Sequence, residues 1–262
     1  MNMEASNWKD KFIAMRKAIQ WLVVIALFWP MLFGVYYLLV ELYRSIDQCR
    51  FPEVSPAVVQ ALEALPENPT DEEKGVVLLT AIHSQLGREL DSTFGWTDND
   101  LLIMPTAYFD NRTQRQLGVL EATKLLVELY STQMAKLGPA DNENELLKDC
   151  RMTHLVVKSE TWGFMRYSAE REYNQAIELM DQYKQELLAG NALYNVRTDD
   201  IYEALKFITG EKMLGSSLGS LIQTNDEVAF SDLDDRIYKA QGVVLVVRDF
   251  MYALTALYPE IM

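Results

Sequence analysis

Histidine and cysteine are scarce in this chain of 262 residues, with two of each. That scarcity removes most metal and nucleophile chemistry. His83 and His154 have no second histidine at i+4 and no cysteine nearby, so the paired ligands of an H-E-x-x-H helix are missing. No C-x-x-C spacing occurs. Ser217 stands in the letters of a G-x-S-x-G, but no strand leads into it as a nucleophile elbow requires, so it is not read as one. The glycine-rich Gly215-Ser216-Ser217-Leu218-Gly219 lacks the lysine that follows a phosphate loop, and its G-x-x-x-G spacing reads as close helix packing. Asp98-Asn99-Asp100 and Asp141-Asn142-Glu143 resemble calcium loops, but the first puts Leu102 and Ile103 at ligand position 5 and glycine position 6, and the second puts Leu146 at the glycine position. No catalytic residue, metal or cofactor is therefore assigned, and the chain is expected not to be an enzyme.

Positive charge is also in short supply. The chain carries 24 basic and 38 acidic side chains, a net charge of −14. Residues 1–40 hold four basic side chains (Lys9, Lys11, Arg16, Lys17) against Glu4 and Asp10, or +2, which leaves −16 for everything after them. So acidic a body repels phosphate backbones, and nucleic-acid binding is excluded.

What the sequence does contain is a run of 20 uncharged residues, 21–40, from Trp21 to Val40. A helix of that length spans about 30 Å, roughly the hydrocarbon thickness of a bilayer. Trp21 near one end and Tyr36 and Tyr37 near the other suit the two headgroup levels. The run ends in Tyr-Tyr-Leu-Leu-Val-Glu without a small-residue cleavage site, which favours an uncleaved signal anchor over a removed signal peptide. The basic residues ahead of it place the N-terminus in the cytoplasm and the remainder on the far side. A second apolar stretch, 242–258, carries Arg248 and Asp249 at its middle. It reads as a core helix rather than a second span.

The remaining pattern is helical. Ser55-Pro56 starts a short helix, and Thr70 with Glu73 forms a capping box. Val76, Leu79, Ile82 and Leu86 give the following helix its core stripe. A helix over 111–137 buries Val119, Ala122, Leu126 and Leu129, and 141–150 forms a short acidic one. His154 to Val157 reads as an extended piece, and Trp162 as a loop indole tucked inward. Ser168 caps a helix with Tyr173, Ile177, Met180 and Leu187 on its inner face. Glu170 and Glu172 read as acids at that helix's positive end before they read as an acid–base pair. A helix from Thr198 carries Ile201, Leu205 and Ile208, its continuation through Leu214 and Leu218 to Leu221 weakened by Gly210, Gly215 and Gly219, and the last, preceded by Asp232, Asp234 and Asp235, buries Ala240, Val244, Val247, Met251 and Leu254. The predicted fold is all-α: one N-terminal transmembrane helix, then a bundle-like domain of six to seven helices. Its segments are 1–19 (cytoplasmic), 20–41 (anchor), 42–69 (juxtamembrane stalk and linker) and 70–262 (helical exported domain). In an oxidising compartment Cys49 and Cys150 are candidates for a bridge worth up to ~4.7 kcal/mol. Two separate thiols are the alternative.

Three stretches together resemble a known family: Pro105 to Asn111 with Leu117 to Leu120; Trp162 with Glu172-Tyr173; and Leu233 to Gly242. The family is a domain of unknown function found mainly in membrane-anchored proteins of proteobacteria, and the resemblance spans about residues 90–258. It implies a Gram-negative inner-membrane protein with a helical periplasmic domain, and it implies no activity. Within the matching stretches Asp110-Asn111 reads as a helix cap, Gly118 as a close-packing site, and Asp234-Asp235 as acids at a helix start, with Tyr238 and Gly242 on the same face. Asp110, Asn111, Trp162, Asp234, Asp235 and Tyr238 are the candidates for a shared polar cleft. Three functions stay open. The first is a non-enzymatic interaction or assembly module, bound to an envelope protein or to itself. The second is a subunit or ligand sensor of a larger envelope complex, which would need a partner for output, since about 20 residues precede the membrane. The third is a carboxylate-dependent envelope hydrolase.

Overall fold

A computed structural model describes residues 3–48, 54–92, 94–101, 110–136, 142–163, 167–222 and 230–260. The chain divides into two compact units, Met1–Phe51 and Pro52–Met262. The first unit is one helix, α1 (Met3–Gln48), with Pro30 inside it. Residues 15–39 form an apolar stretch long enough to cross a bilayer, none of it buried within the chain. The proline costs one backbone hydrogen bond, which an otherwise continuous apolar helix tolerates in lipid.

The second unit is all-α among the described residues. Its helices are α2 (Pro56–Glu63), α3 (Asp71–Leu90), α4 (Asp110–Leu129), α5 (Glu145–Asp149), α6 (Ala169–Leu188), α7 (Thr198–Thr209), α8 (Leu214–Ile222) and α9 (Phe230–Leu257). Two π-helical turns, Tyr130–Met134 and Cys150–His154, extend α4 and α5. Several starts follow the local chemistry. Thr70 Oγ1 accepts from the Glu73 amide at 3.3 Å while Glu73 accepts from the Thr70 amide at 2.8 Å, closing the capping box. Ser168 Oγ caps α6 through the Arg171 amide, and Asp200 accepts from the Arg197 amide at the start of α7.

α3 is the central element. From Val77 to Leu86 every residue is buried, against α2, α4, α6 and α9. The second axis is the crossing of α4 and α9, where Gly118 faces Gly242. A β-carbon on Gly118 would lie 2.0 Å from the Lys239 carbonyl oxygen, and one on Gly242 2.1 Å from that of Arg115. At the far end of α3, the Tyr130 hydroxyl donates to the Gly75 carbonyl at 3.0 Å. Its ring stacks on Tyr194 and meets Tyr183 edge-on. The hydroxyls of Tyr194 and Tyr258 lie 3.0 Å apart.

Charged groups inside this body are tied into networks. Asp249 of α9 is fully buried. It accepts from Arg248 Nε and a terminal nitrogen (3.0 and 2.8 Å), Gln85 Nε2 (2.5 Å), Ser84 Oγ (3.4 Å) and the Ser55 amide (3.3 Å). One carboxylate thus joins α9 to α3 and to the first residue before α2. The stretch over 232–257 is long and apolar enough to span a bilayer, but 61% of its most apolar 18 residues are buried in this body, as expected of a core helix.

A second network joins α3 to α6. His83 Nε2 lies 3.1 Å from Lys184 Nζ, and Asp181 Oδ1 lies 2.5 Å from that ammonium. Burial first, and Lys184 second, lower the His83 pKa from 6.5 to about 4. The unfolded chain therefore binds the extra proton between about pH 6.5 and 4 while the folded one does not. Stability falls as pH drops through that window, by up to about 3 kcal/mol once the pH is below 4. Urea midpoints at pH 7 and pH 4.5 for wild type and His83→Gln measure this: the wild type is expected to lose more on acidification.

Several local expectations change. The residues between 54 and 65 are not stalk: Val58 is fully buried and α2 packs on α3 and α9. Ser55 precedes α2 as expected, but its hydroxyl makes no cap bond, and its amide is spent on Asp249 instead. His154 to Val157 ends a π-helical turn and is not extended. The helix from Thr198 stops at Thr209, because Gly210 adopts an extended conformation, so α7 and α8 are separate and the body has eight described α-helices. Gly215 and Gly219 do not form a helix-packing seam: a β-carbon on Gly215 meets the carbonyl of Gly210 in its own chain, and one on Gly219 meets nothing within 4 Å. Val244 is 41% exposed, and the inner face of α9 runs instead through Val243, Val246 and Phe250. Asp232, Asp234 and Asp235 lie inside α9, which begins at Phe230. The indole that tucks inward is Trp96, 1% exposed, whereas Trp162 is 51% exposed.

Candidate functional site

The close crossing at Gly118 and Gly242 brings the first turns of α4 and α9 together. Asp110, the first residue of α4, hydrogen-bonds Asp235 on the second turn of α9. The Asp235 carboxyl is raised above the usual carboxylate range, by desolvation first and then by Asp110, Asp232 and Asp234. Its Oδ1 is shielded from solvent and has no partner. Beside the pair lies a pocket of about 280 Å³ lined by Gln114, Asp232, Asp235, Arg236 and Lys239. The two bases are engaged elsewhere: Arg236 donates to the Ser220 carbonyl at 3.1 Å, and Lys239 pairs with Glu121 at 2.7 Å.

Of the six cleft candidates, Asp110 and Asp235 come into contact. Asn111 and Tyr238 are half-buried on α4 and α9, and Asp234 contributes to the field on Asp235. None of Asn111, Asp234 and Tyr238 lines the pocket. Trp162 belongs to another locality, the loop before α6, where the Ala169 amide donates to the Thr161 carbonyl. Cys150 is a free, fully buried thiol in the second π-helical turn, raised by burial to about 12. Cys49 lies outside the described residues.

Because the folded chain holds Asp235 protonated to a higher pH than the unfolded chain does, the burden of its ionised form appears as pH rises through the acidic range. Asp235→Asn removes that burden. It is expected to raise the neutral-pH melting temperature by about 1–3 °C, a fraction of a kcal/mol for a group this exposed. Differential scanning calorimetry at pH 4 and pH 7 checks it, with the gain expected at pH 7.

The loop locality has its own architecture. Trp96 donates its indole N–H to the Ser159 carbonyl at 3.0 Å and meets the ring of Tyr173 edge-on at 4.9 Å. Asn99 Nδ2 donates to the Thr161 carbonyl at 3.2 Å. Gly95, with φ +57°, turns the chain so tightly against α6 that a β-carbon there would lie 2.9 Å from Glu170 Oε1. Glu170 and Glu172 do sit in the first turn of α6. Glu172 Oε2 accepts from His154 Nδ1 at 2.8 Å. Glu170 is raised by burial and by Asp100. A network behind the loop holds it to α3 and α4. Glu89 pairs with Arg115 at 2.9 Å, Gln116 donates to Glu89 and to the Gly95 carbonyl, and Arg112 donates to Ser92 and to that same carbonyl. These residues lay among many acids and amides in the sequence, with no spacing to mark them. Asp249 was different: a charge pair at the centre of an apolar helix must find partners, and that signal was present.

Among the described residues no three His, Cys, Asp or Glu side chains converge as a metal site requires. The pocket lining sets two carboxylates beside Gln114, Arg236 and Lys239, and both bases are already engaged, by the Ser220 carbonyl and by Glu121.

These features define a class: an apolar N-terminal helix, of the kind that serves as a membrane anchor or signal sequence, followed by an all-helical body. The chain belongs to the DUF2333 family, described as uncharacterized proteins conserved in bacteria, whose profile matches residues 16–235. The match takes in the apolar helix, α2 and α3 as well as the stretches that first suggested a family. Neither a curated protein nor a solved structure matches the chain.

Proposed function

We propose that this protein is a single-pass protein of the bacterial inner membrane, N-terminus inside, whose periplasmic helical body is a non-enzymatic interaction module. The observation that carries the reading is the pairing of a bare apolar helix with a self-sufficient acidic body. Residues 15–39 bury nothing within the chain, so their cover is the bilayer. The body, by contrast, spends its conspicuous polar groups on its own architecture: Asp249 and Glu89 clamp helices, and His83 sits between α3 and α6. Exposed large apolar side chains remain on its surface, including Tyr202, Ile237, Val244, Tyr252, Trp162 and Tyr167, and such surface is what binding partners cover.

The hydrolase alternative needs two carboxyl groups separated by about 5–10 Å across a cleft. Asp110 and Asp235 instead interact directly. Purification from native membrane in mild detergent tests the reading. Co-purification of a second envelope protein in fixed ratio, or of a homo-oligomer, is expected. Recovery of a monomer that cleaves peptidoglycan or peptide substrates, with the activity lost in Asp235→Asn, would overturn it.

A further inference from the structure

The chain has two histidines, and both face α6. His154, in the second π-helical turn, meets the start of that helix. Its Nδ1 lies 2.8 Å from Glu172 Oε2, and its Nε2 lies 3.8 Å from Asp149 Oδ2. His83, in the middle of α3, meets the far half of α6, where Lys184 Nζ stands 3.1 Å from its Nε2. The seam between α3 and α6 is antiparallel, with Gly87 against Ile177 and Thr80 against Lys184.

The two contacts answer a proton differently. A lysine ammonium has three N–H donors and no acceptor. Here three acceptors surround it: Asp181 Oδ1 at 2.5 Å, His83 Nε2 at 3.1 Å and Thr80 Oγ1 at 3.3 Å. His83 Nε2 therefore presents its lone pair to Lys184, and a neutral ring is a condition of the contact. The charged groups acting on His83 are Lys184 and Asp181, both on α6; among the described residues α2, α4 and α9 set none against it. A proton taken from solvent by Nε2 turns that acceptor into a donor pointed at a cation. Burial opposes the same proton, and together they lower the His83 pKa to about 4. The geometry offers one relief. Asp181 Oδ1 lies 3.5 Å from Nε2 and can accept the new N–H, while Lys184, whose side chain is 17% exposed, keeps its charge and turns to solvent. His154 has a carboxylate at each nitrogen, so a second proton on that ring loses no partner.

We infer that His83, Lys184 and Asp181 form an acid-released latch: a proton on His83 displaces the Lys184 ammonium, and the C-terminal half of α6 lifts from α3 while its first turn stays pinned at His154. Lys184 is what ties this half of α6 to Thr80 and His83, and its release uncovers the buried Met180, Tyr183 and Leu187. The latch goes beyond the interaction reading and does not rest on it. Its use, though not its mechanics, depends on the exported location proposed above, and a measurement on purified protein succeeds or fails independently of topology.

The test is amide hydrogen exchange, read by mass spectrometry on the full chain in nanodiscs at pH 7.5 and pH 5.0, with protection corrected for the intrinsic effect of pH. A lifted half-helix of about ten residues does not stay helical in water, so its amides exchange. The open form binds the proton near pH 6.5 and the closed form near 4, so the open population over 179–188 is expected to rise about tenfold or more on acidification. Protection over 169–175 and in α9 is expected to hold within about twofold. His83→Gln takes no proton in this range and keeps an oxygen that can accept from Lys184. It is expected to abolish the pH difference over 179–188, whereas His154→Gln is expected to keep it. Far-UV circular dichroism at pH 7.5 confirms that each variant is folded. Unchanged wild-type protection over 179–188, an equal loss across α4, α6 and α9, or the same pH response in His83→Gln overturns the inference. Should His83→Gln not fold, the wild-type map decides alone, since a latch predicts loss at one end of α6 and global unfolding predicts loss everywhere.

Discussion

Gly242→Ala is expected to lower the stability of the body by about 3 kcal/mol or more, and the Gly118→Ala, Gly242→Ala double variant is expected not to fold. The reason is the contact itself. A methyl group at either position would collide with the backbone of the other helix, 2.0 Å from the Lys239 oxygen or 2.1 Å from the Arg115 oxygen. Backbone cannot swing aside as a side chain does, so α4 and α9 must separate along their length. That separation opens voids around Val119, Val243 and Val246 and pulls Asp110 from Asp235. For a body of this size each kcal/mol is worth about 2–4 °C, so the single variant should melt about 6–12 °C lower. Gly219→Ala is the internal comparison. It lies within α8 with nothing inside 4 Å of the added carbon. It is therefore expected to stabilise by up to about 1 kcal/mol through helix propensity alone. Thermal melts of the three variants by circular dichroism decide the matter. A Gly242→Ala variant as stable as wild type contradicts the crossing.

The second large effect belongs to Asp249. Asp249→Ala leaves Gln85 Nε2, Ser84 Oγ and the Ser55 amide as buried donors without their acceptor, and it strips Arg248 of its counter-charge. Removing one partner of a buried charged pair costs about 3–5 kcal/mol. Asp249→Asn preserves the shape and one acceptor oxygen, and should cost about 1–3 kcal/mol. Since the Ser55 amide sits just before α2, loss of Asp249 also frees the segment that leads into the body. Urea unfolding followed by tryptophan fluorescence measures the totals. Proteolysis near 55–65, faster in Asp249→Ala than in Asp249→Asn, reports the local release.

Both effects were partly visible in the sequence. Gly118 and Gly242 stood out as small residues in helices, but only the crossing shows that each faces the other's backbone. Gly215 and Gly219 had the more regular G-x-x-x-G spacing, yet a β-carbon on Gly215 meets the Gly210 carbonyl just ahead of its own helix and one on Gly219 meets nothing within 4 Å. Spacing tells which residues share a face of one helix, and it says nothing about which helix, if any, lies opposite. Arg248 and Asp249 were enough to mark α9 as a core helix, but not to name Ser55, Ser84 and Gln85 as the partners, since those lie 164 residues or more away in sequence. Capping was read correctly where it is local, at Thr70 with Glu73 and at Ser168. It failed at Ser55, where a distant carboxylate captures the amide. The indole expected to tuck inward, Trp162, is exposed, while the buried one is Trp96, whose N–H reaches a carbonyl 63 residues on. The polar cleft was half legible. Asp110 and Asp235 meet because the glycine crossing brings their turns together, whereas Trp162 shares no element with them.

The claim on which the rest depends is that the helix over 15–39 threads the membrane and delivers an acidic body to the far side. The direct measurement is a pair of C-terminal fusions in a Gram-negative host, one to a fluorescent protein that matures only in the cytoplasm and one to alkaline phosphatase, which is active only outside it. Dark cells with high phosphatase activity, both fusions remaining in the membrane fraction after alkaline washing, are the expected result. Fluorescent cells without phosphatase activity, or fusions released by the wash, would contradict the account.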